Sequence, residues 1–96
     1  MGAEELYNEV SGAFGAAGWQ WIDCRAFQSL VPGFPHGLAL YYPMTLAVVV
    51  VQPYTQPTQE EFAFAAAYQG VWAVCHGQED VLRLVRLYSQ VLIARS

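Results

Sequence analysis

Four side chains carry the chemistry that a soft metal or a nucleophilic centre would need: Cys24, His36, Cys75 and His76. Two thiolates and two imidazoles would suit tetrahedral zinc, and a thiol beside an imidazole can act as a nucleophile–base pair. The spacing argues against both. It matches no metal-binding pattern, and no acid is placed to orient either ring. Cys75 and His76 are adjacent, so they point opposite ways if a strand continues through them. A Cys24–Cys75 disulfide stays open to the sequence, but each cysteine sits beside strand-like residues, which favours two free core thiols. The histidines are expected to serve turns or caps, with no metal and no cofactor. The carboxylates read as equally local. Glu4, Glu5 and Glu9 open a first helix and Glu79–Asp80 a last one, where negative charge complements the helix dipole. Between them, from Pro35 to Val51, two strand-like runs hinged at Pro43–Met44 contain no carboxylate and no ammonium.

The elements that must position these groups belong to one domain, residues 1–96. The chain is 55% hydrophobic and 15% aromatic but only 12% charged, about half the usual charged fraction. Such a surface predicts a protein partner, and a second copy is the simplest one. The chain has no lysine, and its four arginines face eight acids for a net charge of −4. Nucleic-acid affinity comes largely from Lys and Arg neutralising phosphates, so autonomous nucleic-acid binding is not expected. The longest apolar run, Thr45 to Val51, falls far short of the ~20 residues that span a bilayer. Met1 leads into an acidic helix start rather than a basic leader. The expectation is a cytoplasmic protein without a membrane segment.

Apolar residues at three- and four-residue steps (Leu6, Val10, Ala13, Phe14, Ala17) predict a helix over Ala3 to Ala17, ended by Gly18. Trp19 to Cys24 reads as a short strand, and Arg25 to Pro35 as an irregular segment punctuated by Pro32–Gly33 and Phe34–Pro35. Leu38 to Tyr42 and Thr45 to Gln52 form a hairpin across Pro43–Met44. The four consecutive valines place the third strand at the centre of a sheet covered on both faces. Thr58 with Glu61 three residues on is a capping-box pair, opening a helix to about Gln69 that packs through Phe62, Ala65, Ala66 and Tyr68. Val71 to Cys75 is a fourth strand. A final helix, Glu79 to Ala94, aligns Val81, Leu84, Val85, Tyr88, Val91 and Leu92 on one stripe. The order is α-β-β-β-α-β-α, a small mixed four-stranded α/β (α+β) sheet flanked by helices, with the third and fourth strands parallel through a right-handed crossover.

Several short motifs occur along this order. They are Gly18–Trp19 after the first helix, Gly33-Phe34-Pro35 before the second strand, and Leu-Ala-Val-Val-Val-Val-Gln-Pro ending the third. Pro57-Thr58-Gln59-Glu60 then opens a helix and Gly70–Val71 leads the fourth strand. Together, over about Gly18 to Leu87, they resemble the VRR-NUC branch of the PD-(D/E)xK nuclease superfamily. The resemblance implies a restriction-endonuclease-like core. It also implies a site where an Asp after Pro at the second strand and a Glu-x-Lys at the third hold a divalent metal that activates water. Here the Asp position maps to His36, the Glu to Val49 and the Lys to Val51, with Glu5 as a possible retained helix acid. One carboxylate cannot satisfy a hard cation that takes several oxygens.

The resemblance thus implies a catalytically inactive nuclease-fold protein that works by protein–protein contact. Such a protein could be a phage or mobile-element inhibitor of anti-restriction or anti-CRISPR type. The alternatives are a metal-dependent nuclease with a relocated site using Glu5, Asp23, His36 and Glu60, or a non-catalytic subunit of a nuclease complex. Tyr54, Tyr41 and Tyr42 are the candidate protein-binding residues, since tyrosine dominates interface hot spots. Trp72 and Tyr88 read as core.

Overall fold

The computed structural model describes residues 2–95, with side chains to residue 90. Its elements are α1 (Ala3–Ala16), β1 (Gln20–Asp23), a 3-10 turn (Arg25–Ser29), β2 (Gly37–Tyr41), β3 (Met44–Val50), α2 (Gln59–Ala67), β4 (Val71–Cys75) and α3 (Gln78–Arg95). They form one four-stranded sheet in the order β1-β2-β3-β4. The first three strands are antiparallel neighbours, and β3 and β4 run parallel. The expected α-β-β-β-α-β-α order and mixed α/β class are therefore observed.

β3 is central because it carries side chains that both faces can bury. Leu46 through Val50 are all buried, and their alternation divides them between two layers. Leu46, Val48 and Val50 join the core cluster built with α1 (Leu6, Tyr7, Val10, Phe14), Trp19, Ala39, Cys75 and Val81 of α3. Ala47, Val49 and Val51 are buried on the opposite face, the side of the aromatic row Phe27–Phe34–Phe64–Tyr68. Trp19 lies outside β1 and sinks into the core instead. On the α3 stripe Val81 is buried and Leu84, Val85 and Tyr88 are half-buried; the side chains of Val91 and Leu92 lie outside the described residues.

The α2 packing differs from its sequence reading. Phe62 and Ala66 are exposed, and Ala65 and Tyr68 are half-buried. Phe64 instead lies edge-on to Phe34, 5.5 Å between ring centroids. After Gln59, Glu60 and Glu61, the six Ala and Phe residues that complete α2 form no consistent apolar stripe, so the contact falls to whichever ring faces the loop at Phe34. The N-terminus follows the sequence closely. Thr58 accepts from the Glu61 N–H while Glu61 accepts from the Thr58 N–H. Two glycines are required by packing. At Gly33 (φ +81°) a Cβ would collide with the Glu60 carbonyl, and at Gly37 with the Trp21 ring.

Candidate functional site

A cavity of about 270 Å³ opens where β2 begins and β3 ends, beneath the start of α1. Its wall includes Glu4, Tyr7, Arg25, His36, Val50 and Gln52. Because β2 starts at Gly37, β3 outruns its neighbour here and its ladder loses a backbone partner. His36 supplies it: the Val50 N–H donates to His36 Nδ1 at 3.0 Å. The His36 N–H in turn donates to the Val48 carbonyl, and its own carbonyl accepts from the Cys24 N–H, both at 2.9 Å. His36 thus ties β1, β2 and β3 together at one end of the sheet.

An Nδ1 that accepts must be unprotonated. Burial pushes the His36 pKa below its ordinary value of 6.5; the Glu61 carboxylate opposes the shift and Arg25 adds to it. Arg25 closes one side of the cavity with its guanidinium 3.6 Å above the Tyr7 ring. It pairs with Glu4 at 2.7 Å and Asp23 at 2.9 Å. Those hydrogen bonds hold the Asp23 carboxyl well below the usual carboxylate range. Burial chiefly raises the Tyr7 hydroxyl, which accepts from Trp21 Nε1 at 2.7 Å.

The residues named from sequence separate here. His36 lines the cavity, whereas Val49 and Val51 point to the opposite face of the sheet from Val50. The residues that share the cavity with His36 here are Val50, the last of β3, and Gln52 just beyond the strand, each one position along from Val49 and Val51. Glu4 rather than Glu5 supplies the α1 carboxylate; Glu5 is exposed and Glu60 sits on α2 against Gly33. Gln52 was legible as the polar residue ending the valine run. What decides its direction is the pairing register, which sequence alone does not print.

The two cysteines are free and buried, as their strand-like surroundings in the sequence favour. Burial raises the Cys24 thiol and pushes Cys75 up to about 12, so neither is a ready thiolate near neutral pH. Among the described residues no three His, Cys, Asp or Glu side chains are grouped as a metal site.

A second cavity, about 470 Å³, lies where β3 and β4 end and α3 begins. Two of its three acids, Glu9 and Asp80, are already occupied. Glu9 accepts from the Gln78 N–H at 2.9 Å and Asp80 from the His76 N–H at 2.7 Å, both at the first turn of α3. His76 Nδ1 lies 3.1 Å from the Val51 and Gln52 carbonyls, so this ring carries its proton on Nδ1. Tyr54, on the rim with φ +63°, is fully exposed, as its place between two prolines predicts. Tyr42 is 94% exposed and Tyr41 46%, but both precede β3 while Tyr54 follows it. The strand separates them by roughly 20 Å, so the three tyrosines form two surfaces.

Compared with models of known protein families, with curated proteins and with solved structures, the chain matches none of them. No helix among the described residues is long and apolar enough to cross a membrane.

Proposed function

We propose that the chain is a catalytically inactive nuclease-fold protein that acts through protein–protein contact as a homodimer. In this reading it is an inhibitor of the kind that phages and mobile elements direct against restriction or CRISPR machinery. One observation carries the reading. At the three positions where the resemblance calls for two acids and a lysine stand His36, Val49 and Val51. The cavity at the mouth between β2 and β3 is lined by His36, Val50 and Gln52, likewise without acid or lysine from either strand. His36 Nδ1 is committed to a backbone N–H, and the carboxylate above it, Glu4, is paired with Arg25. The strand order and the parallel β3–β4 pair support the resemblance itself. The low charge and the exposed Tyr42 and Tyr54 support a role in contact rather than in phosphodiester chemistry.

The test is a cleavage assay on single- and double-stranded DNA and RNA with Mg²⁺ or Mn²⁺, run beside Glu4→Ala and Glu5→Ala. No cleavage by any of the three proteins is expected. Metal-dependent cutting by the parent chain that either substitution abolishes would overturn the reading in favour of a relocated nuclease site.

A further inference from the structure

The two outer strands of the sheet differ in how their edges are guarded. β1 is four residues long, and its outward residue Asp23 is locked to Arg25; short length and edge charge are standard protection against strand addition. β4 reads Val-Trp-Ala-Val-Cys without a charge, proline or glycine. The Val51 N–H donates to the Cys75 carbonyl, so Cys75 and, by alternation, Ala73 turn their backbone groups toward β3. Trp72 and Val74 must turn theirs outward. Among the described residues nothing hydrogen-bonds those four groups. Beside them a groove of about 330 Å³ runs between the edge and α3, lined by Val74, Asp80, Arg83, Leu84 and Leu87. Leu87 is 52% exposed.

We infer that β4 pairs antiparallel with β4 of a second copy across a two-fold axis at Ala73, joining two sheets into one of eight strands. The edge carries two donors and two acceptors, and this axis sets each partial positive charge against a partial negative one. Trp72 faces Val74 of the second copy and exchanges both N–H···O bonds with it; the symmetric pair does the same. All four outward groups are satisfied. Ala73 meets its own copy at the closer, non-hydrogen-bonded position, where a small side chain fits. The axis is perpendicular to the sheet, so the two α3 helices fall on one face. Their grooves then meet, Leu84 and Leu87 against the same surface and each rim bringing one acid and one base. A foreign extended peptide could use the same backbone groups. The second copy is favoured because the edge complements itself in every donor and acceptor. The dimer rests on the self-association proposed above and not on the nuclease likeness, so the cleavage assay and an oligomer assay fail separately.

The experiment is sedimentation or light scattering over low to high micromolar protein, combined with amide hydrogen exchange. A dimer is expected in which the Trp72 and Val74 amides exchange about tenfold or more slowly than in diluted monomer. Val74→Pro removes an outward N–H at an edge-strand position that tolerates proline and replaces a half-buried side chain, and Leu87→Glu charges the groove from an exposed position. Both are expected to give monomers with unchanged circular dichroism. A chain that stays monomeric at high concentration overturns the inference. So does a dimer whose Trp72 and Val74 amides exchange freely, or one that survives Leu87→Glu with those amides unprotected. A Trp72 edge protected only when an added peptide is present would assign it to a foreign strand instead.

Discussion

Each face of the sheet carries a tryptophan that belongs to a strand, Trp21 of β1 and Trp72 of β4, and the two are treated differently. On the α1 side Trp21 stacks on Phe14, 5.7 Å between centroids, and its indole N–H donates to Tyr7. On the α2 side Trp72 lies 6.0 Å from Phe62, and its indole N–H is buried with no hydrogen-bond partner among the described residues. An unmade bond of that kind costs about 1–3 kcal/mol. The α1 face is a fully assembled core: Val10, Phe14, Val48 and Val81 have no exposure at all. The α2 face is a thinner cover, in which no α2 residue is buried and the aromatic rings meet edge-on, tilted or, for Phe64 and Tyr68, stacked. The larger share of the buried core lies on the α1 face, and the α2 face adds a smaller one through Ala47, Val49 and Val51.

The largest test of that contrast is truncation. Phe14→Ala is expected to lose about 3–5 kcal/mol by denaturant unfolding, the usual range for a buried aromatic. Phe64→Ala, from a half-buried site, is expected to lose about half as much. Equal losses would erase the distinction between the faces. The tryptophans give a sharper and smaller comparison. Trp21→Phe removes a satisfied donor and is expected to cost about 1–2 kcal/mol. Trp72→Phe removes an unsatisfied one and should be close to neutral in the same melt.

The subtlest test concerns the seam at His36. Its folded pKa lies below its unfolded value of 6.5, so the unfolded chain takes up the proton first. Its contribution is whole above that value and is lost as pH falls through the folded pKa. Asp23, also depressed, acts only in the range below an ordinary carboxyl pKa. Melting temperature is therefore expected to drop between about pH 7 and about pH 5 in the parent chain. His36→Asn keeps an acceptor near the Nδ1 position and loses the titration, so its profile should be flatter over that interval. A parent profile that is itself flat would separate the Val50 hydrogen bond from stability.

Much of the architecture was legible because it follows from local rules. The strand Val71–Cys75 is bounded by Gly70 and the His76–Gly77 turn, and it falls where its β-branched run predicts. The Thr58–Glu61 capping box forms because both partners lie within one turn of chain. The burial of the valine run on both faces follows from the absence of any polar residue in it. The 3-10 turn at Arg25–Ser29 and the choice of Phe64 over Phe62 were not legible, since both depend on what the loop at Phe34 presents across space.

The candidate site divides along the same line. By itself the sequence determined that β3 carries no charge, that its last polar neighbour is Gln52, and that His36 sits where β2 begins. Only the tertiary structure decided that Val50 and Gln52, rather than Val49 and Val51, look into the cavity with His36. Side chains on a strand alternate, so a shift of one residue moves every one of them to the other face. Which register holds is settled by α1 seating Leu6, Tyr7 and Val10 over Leu46, Val48 and Val50, a contact between segments some forty residues apart.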